Sequence, residues 1–255
     1  MKRADYNEIS SVYDQRYQPG SQVGILTALK TAAQSINAAA ILEVGCDTGH
    51  WLAQMADFPA RYGLDFSRGM LTRAALKVSP STLVQGTASQ LPFKKGVFDF
   101  VFCVNALHHF DDPLAFIRQA HRLLRPGSLL AVITMDPHTS LDHWYLYDYF
   151  PGVLDKDLLR YPSSAAVAGW MEQAGFGSIH RSAAETLERN YADQQVFEDP
   201  ALQKNGTSQL AMLTMPEFEQ GIDNIRRAIK SAEEIGSTIH FLTRIQLHIW
   251  LGSAL

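Results

Sequence analysis

Cysteine is almost absent: Cys46 and Cys103 are the only two thiols in 255 residues. Two thiols cannot build a disulfide scaffold or a four-thiolate zinc site, so both read as buried and reduced. Long apolar runs are missing as well. None approaches the ~20 residues of a membrane span. The N-terminal stretch MKRADYNEISSVYD carries Asp5 and Glu8 where a secretory signal needs apolar residues. A cytoplasmic location is therefore expected. Positive charge is not in surplus: 22 Lys and Arg stand against 26 Asp and Glu, a net charge of −4. With no basic cluster either, nucleic acid and an anionic membrane surface are not expected as partners. Repeats and low-complexity tracts are also lacking. What is present is material for a core. Hydrophobic residues make up 46% and charged residues 19%, which rules out global disorder. The length suits one α/β domain with an insertion.

The pattern along the chain alternates strands and helices. Residues 4–17 can form a short helix, broken by Gln18-Pro19-Gly20. Apolar residues at helical spacing predict a helix over 23–35. Short apolar or β-branched runs predict strands over 39–44, 61–66, 82–85, 97–104 and 129–135. Helices are predicted over 51–57, from a Ser67 cap to about 78, and from an Asp112 cap with Pro113 at the first position. That last helix ends at Pro126-Gly127. The alternation implies a parallel sheet covered on both faces. Beyond Met135 the texture changes. Residues 142–150, DHWYLYDYF, hold five aromatics in nine positions; they either line a pocket or fill the core. A helix starts at Ser163 or Ser164 and ends at Gly175, followed by a strand-like stretch over 178–182. Residues 191–206 read as loop. Thr214 and Glu217 form a capping box for a helix to about 234, and 239–251 alternates as a final strand. Trp170 and Trp250 read as core.

Five segments carry chemistry. ILEVGCDTGHW (41–51) runs a strand into a glycine-bearing turn and a helix. Gly45 and Gly49 let the backbone approach a ligand, and the helix start offers free N–H groups. The spacing is not the dinucleotide G-x-G-x-x-G. Asp65 closes the second strand 20 positions after Gly45, where an acid in doubly wound folds can accept both ribose hydroxyls. The others are GTASQLPF (86–93), NALHHFDDP (105–113) and RLLRPGSLLAV (122–132).

In this order, from about Ala40 to Met135, the segments resemble the class I S-adenosylmethionine-dependent methyltransferases, in particular the small-molecule group similar to the ubiquinone and menaquinone biosynthesis methyltransferases. The resemblance implies a Rossmann-like α/β fold: a seven-stranded, mostly parallel sheet of order 3-2-1-4-5-7-6, helices on both faces and a helical insertion before the last strand. It implies one methyltransferase domain over 1–255, with cap helices in 1–38, a cofactor-binding core in 39–135, and a substrate-side half in 136–255 whose insertion covers about 186–236. The cofactor would be S-adenosylmethionine, with S-adenosylhomocysteine as product. Glu43 would meet the methionine part of the cofactor. Gly45 and Gly49 would line its nucleoside and methionine portions, with Cys46, Asp47 and Met70 also on the cofactor. Asp65 would hold the ribose hydroxyls, and Phe66 would lie against the adenine. Thr87 and Ala88 would read the adenine edge, and Asn105 and Ala106 would lie by the methionine end. Tyr13 resembles an N-terminal tyrosine that closes over the cofactor, and Arg16 would add charge to the cofactor carboxylate.

The chain departs from the family pattern in three places. Asp47 stands where the family has its middle glycine, the usual acid after strand three is replaced by Gly86-Thr87-Ala88, and Ser128 replaces a second glycine after Pro126. Asp47 either clashes with the cofactor, turns to solvent, attracts its sulfonium or ammonium, or repels its carboxylate.

The expected acceptor is a small, apolar or aromatic molecule. Candidate general bases are His108 and His109, at the carboxyl edge after strand four, and His138 and His143 after strand five. Asp136, His138 and His143 are metal-capable types, but their spacing matches no metal motif, and no metal is expected. Two other readings stand beside the enzyme: a cofactor-binding protein without turnover, kept open by Asp47, and a Rossmann-type oxidoreductase, which lacks its glycine motif.

Overall fold

A computed structural model describes residues 10, 13–17, 22–79 and 82–255. Most of the predicted helix over 4–17, its break at Gln18-Pro19-Gly20 and the Arg16 side chain lie outside the described residues. Tyr13–Arg16 forms one 3-10 turn.

Among the described residues, eight strands make one sheet: β1 Ala40–Val44, β2 Ala60–Asp65, β3 Leu83–Gln85, β4 Phe98–Val104, β5 Leu124–Thr134, β6 His143–Trp144, β7 Phe176–Ala192 and β8 His240–Ala254. The first five run parallel in the order β3-β2-β1-β4-β5. β8 lies antiparallel to β5, and β7 pairs with the other side of β8. Apart from the two-residue β6, which bridges to Thr243 and Arg244 of β8, this is the expected Rossmann-like order. The sequence offers no sign of β6, because two residues carry no periodicity.

The helices that position the site are α1 Val23–Ser35, α2 His50–Gln54, α3 Arg68–Ala74, α4 Pro113–Leu123, α5 Tyr145–Tyr149, α6 Val153–Arg160, α7 Ser164–Gln173, α8 Ser208–Ala211 and α9 Met215–Glu234. Their caps follow the sequence. Ser67, Asp112, Ser163 and Thr214 each accept a backbone N–H of the first turn, and Thr214 and Glu217 complete their box. Strand alternation splits the core over the two faces of the sheet. Ala131 and Ile133 of β5 pack with Ile25 and Leu29 of α1 and Ile225 and Ile229 of α9. Leu130 and Val132 pack with Phe116 and Ile117 of α4 and Val167 and Met171 of α7.

Several boundaries differ from the sequence expectation; α2 and α3 end at Gln54 and Ala74, short of 57 and 78. α4 ends at Leu123, and β5 begins at Leu124, because Pro126 favours an extended Arg125 and Leu124 already pairs with Phe98. β7 runs 17 residues, far beyond 178–182, because nearly its whole length pairs with β8. The insertion therefore begins at Asp193, not near 186. Residues expected as loop form two 3-10 turns, Asp193–Glu198 and Pro200–Leu202, the second capped by Asp199. Among the described residues no helix is long and apolar enough to cross a membrane.

Candidate functional site

The site lies at the carboxyl edge of the parallel strands. β1 ends at Val44 and the chain turns through Gly45–Gly49 into α2. The loop is tight: Gly45 and Gly49 have φ of +75° and +72°. A Cβ on Gly45 would stand 2.6 Å from the Ala106 Cβ, so only glycine lets the loops after β1 and β4 meet. The N–H groups of Gly45 and Cys46 both donate to Leu64 O, at 2.8 and 3.0 Å. The Cys46 side chain is buried in the core, where its Sγ closes over Gly63.

Two carboxylates underlie this loop. Asp65 Oδ2 accepts the Asp47 N–H at 2.9 Å, and its Oδ1 accepts the Ser67 N–H at 2.8 Å. Burial pushes its pKa up, opposed by the N–H groups of Ser67, Asp47 and Phe66. Glu43 is 1% exposed, and its Oε2 has no hydrogen-bond partner. Burial pushes Glu43 well above the usual carboxylate range; Asp47 and Asp65 push the same way, while the Leu52 N–H opposes them. Around these acids, Phe66 is 71% exposed, Met70 is buried against Tyr13, and Thr87 is exposed with Ala88 half-buried beside it. Asn105, at φ +48°, donates its N–H to Ile133 O at 2.8 Å, and Ala106 is buried. The Tyr13 hydroxyl donates to Asp47 Oδ2 at 2.7 Å.

A cavity of about 180 Å³ opens from Asp47 and Asn105 toward the C-terminal half. Its floor is apolar: Val104, Met135, Trp144, Leu187, Ile245 and Leu247. Trp144 thus serves the cavity, whereas Tyr145, Leu146 and Phe150 of the same aromatic segment are core. One wall is polar and belongs mostly to the insertion. There Arg189 Nη1 pairs with Asp199 Oδ1 at 3.0 Å, and Tyr145 OH donates to Asp199 Oδ2 at 2.9 Å. Behind Gln209, the fully buried Asp157 accepts from Arg160 Nη2 at 2.6 Å, Gln209 Nε2 at 2.8 Å and Tyr147 OH at 2.9 Å. Burial first, then the paired aspartates, hold Tyr145 and Tyr147 above the usual phenol range, so both remain donors.

Among the described residues, His108 and Thr243 line the cavity and carry buried polar atoms without a partner: both ring nitrogens of His108, and Thr243 Oγ1. The His108 ring stacks on Tyr161, with centroids 3.9 Å apart. Burial, then His109 and Arg160, hold His108 well below the usual imidazole range, so it is neutral at pH 7. His109 also lines the cavity. His143 does not: it lies exposed on β6, 3.7 Å from Asp148 Oδ2, so the structure does not bring it to the site. His138 stands between Asp136 Oδ1 at 3.2 Å and Leu158 O at 3.0 Å, away from the cavity. Thr243, Arg189, Asp199 and Gln209 were not singled out by sequence. The one available signal was the Asp157/Arg160 pair, whose i, i+3 spacing reads as a solvated helix face.

Known proteins resemble this chain most clearly over the parallel strands that carry the loop. A family model described as a methyltransferase domain matches residues 42–132, the span from β1 to β5. The chain is 29% identical over 144 residues to an uncharacterized methyltransferase of Synechocystis sp., covering 55% of this chain and 68% of that one. It is 27% identical over 165 residues to a demethylmenaquinone methyltransferase of Anoxybacillus flavithermus, covering 54% and 70%. Its fold is similar to that of a solved S-adenosylmethionine-dependent methyltransferase, a possible histamine N-methyltransferase, from Thermotoga maritima. There the TM-score is 0.60 at 16% identity, over 98% of both chains. Residues 42–132 thus match a methyltransferase domain, and the chain is similar to S-adenosylmethionine-dependent methyltransferases, those of menaquinone biosynthesis among them.

Proposed function

We propose that the chain methylates a small, largely apolar or aromatic molecule held in the cavity, and that neutral His108 takes the proton from the group being methylated. The observation that carries this reading is the His108 ring: both nitrogens are buried and unpartnered, and the residue lines the same cavity as Asp47 and Asn105. A neutral imidazole without a partner can accept a proton from a hydroxyl or an acidic C–H. His109 stands beside it as the second cavity imidazole.

The residues of the loop fit S-adenosylmethionine. The unpartnered Oε2 of Glu43 is an acceptor for an ammonium group. Asp65 retains lone pairs for a diol beyond its backbone bonds. Phe66, exposed next to Asp65, offers a face for the adenine, with Thr87 and Ala88 on the neighbouring strand end. When bound, the cofactor supplies an electrophilic methyl on a sulfonium, a good leaving group. The protein's part is alignment and exclusion of water. The apolar floor orients the body of the acceptor, Thr243 Oγ1 offers a hydrogen bond to a second polar function, and His108 holds the proton released from the nucleophile. The polar wall from the insertion covers the cavity, so the 13–17 turn, the core over 39–135 and the half over 136–255 act as one unit. The net charge of −4 supports a small-molecule acceptor rather than a nucleic acid.

The test uses labelled S-adenosylmethionine against a panel of phenols, enols and amines, with His108→Asn as the comparison. Loss of the imidazole should lower kcat about 10²–10⁴-fold with the calorimetric Kd of the cofactor unchanged. Because the imidazole titrates low, the acidic limb of kcat/KM should lie below the ordinary histidine range. Wild-type turnover in the variant would remove His108 from the mechanism.

A further inference from the structure

Asp47 occupies a loop position that the family resemblance assigns to glycine, and the structure shows what its side chain holds. The residue stands at φ +46°, a left-handed backbone that a Cβ disfavours. Its N–H donates to Asp65, and its Oδ2 accepts the Tyr13 hydroxyl at 2.7 Å. The same segment is fastened again nearby. Thr48 Oγ1 donates to Asp14 Oδ1 at 2.5 Å, and Lys77 Nζ donates to Asp14 Oδ2 at 2.7 Å and to Thr48 Oγ1 at 3.1 Å. The Tyr17 ring lies flat on His50, with centroids 3.6 Å apart and planes 6° apart. These anchors sit in the glycine loop, at the start of α2 or just after α3. On its other side, Tyr13–Arg16 lies against the Pro200–Leu202 turn of the insertion, and Tyr13 and Tyr17 line the cavity.

We propose that Asp47 is a positioning residue that latches residues 13–17 over the cofactor loop, so that the cofactor exchanges only when the Tyr13 hydroxyl leaves the carboxylate. Two features separate a latch from a loop that needs Asp47 for its own shape. Glycine would adopt the same backbone without strain. Asp47 also lines the cavity beside Asn105 and is not part of the core. A closed latch keeps water from the transferring methyl and lengthens the stay of the cofactor. The inference concerns cofactor exchange and is independent of the acceptor and of His108.

The experiment measures dissociation of S-adenosylhomocysteine by stopped-flow displacement, read by the fluorescence of Trp51, which packs edge-on against Tyr17. It compares the wild type, Asp47→Gly, Tyr13→Phe and the double variant. Each single change removes the same charge-assisted bond, so each should speed dissociation by about tenfold or more. The double variant should be no faster than the faster single variant, because the two residues act through one contact. Asp47→Gly should melt at or above the wild type. Unchanged dissociation in Tyr13→Phe, which keeps the ring and its packing, overturns the latch even if Asp47→Gly does not fold. Multiplying effects in the double variant also overturn it. Failure of the wild type to bind S-adenosylhomocysteine at millimolar concentration overturns the cofactor assignment itself, a result distinct from an unlatched but binding protein.

Discussion

Asp157 is the buried charge on which the acceptor wall rests, so Asp157→Ala tests that wall. The carboxylate is 0% exposed and accepts from Arg160, Gln209 and Tyr147. Its removal leaves the Arg160 guanidinium buried at 7% side-chain exposure, without its carboxylate. It also strips two neutral donors of their acceptor. Breaking a buried ion pair from one side costs about 3–5 kcal/mol. For a chain of this size each kcal/mol moves the melting midpoint by about 2–4 °C, so the midpoint should fall by about 6–20 °C. Gln209 loses its anchor in the same step, so the acceptor KM should rise while the cofactor Kd, set at the far side of the cavity, stays constant. Thermal melts followed by fluorescence, with calorimetry for the cofactor, measure both. Asp157→Asn combined with Arg160→Gln removes both charges and should recover part of the lost stability. A single variant that melts within about 2 °C of the wild type, less than one kcal/mol by the same conversion, would refute the reasoning. The carboxylate would then be dispensable to the wall.

Three further outcomes follow from the site. Glu43 has a folded-state pKa above its ordinary 4.5; the native state keeps the proton as pH rises past that value while the unfolded chain releases it, so stability falls upward through that window. Glu43→Gln should flatten this slope in melts from pH 4 to 8 and weaken cofactor binding by calorimetry; an unchanged slope would show that Glu43 does not carry it. Gly45→Ala places a Cβ 2.6 Å from Ala106 at φ +75° and should cost at least about 1–2 kcal/mol and impair cofactor binding, read by denaturant titration and calorimetry. Thr243→Val keeps the shape but removes an unpartnered hydroxyl; it should raise the KM of acceptors with a second polar group and leave that of purely apolar acceptors alone. Equal effects on both would assign Thr243 to packing.

The parallel-strand half over 39–135 was legible in the sequence because its information is local. Strand-ending acids such as Asp65, the glycines of one tight turn and the capping pairs at Ser67 and Asp112 act within a few residues of one another. The polar wall of the cavity was not, for an equally physical reason. Arg189 and Asp199 meet because β7 extends to Ala192, and that length is set by β8, about 50 residues later in sequence. Asp157 and Arg160 look solvated on their own helix and are buried only when Gln209 and Tyr147 close over them. His143 shows the converse. It sits after strand five as a base would, but β6 turns it to the outside. Asp47 was visible as a departure from the resemblance, while its partner Tyr13 lies 34 positions away, across a contact that no periodicity encodes.

The position of β8 has a consequence for synthesis on the ribosome. This strand lies inside the sheet, between β5 and β7, yet it is made about 100 residues after β5. At about 5–20 residues per second, the open edge of β5 waits roughly 5–20 s for its neighbour. During that interval the parallel strands present an unpaired apolar border, while the glycine loop after β1, two strands away, is already complete. Nascent chains that recruit the cofactor early would be steadied at one end of the sheet while the other remains open. Truncations that end before His240 should accordingly be caught by chaperones or aggregate, rather than persist as stable cofactor-binding halves.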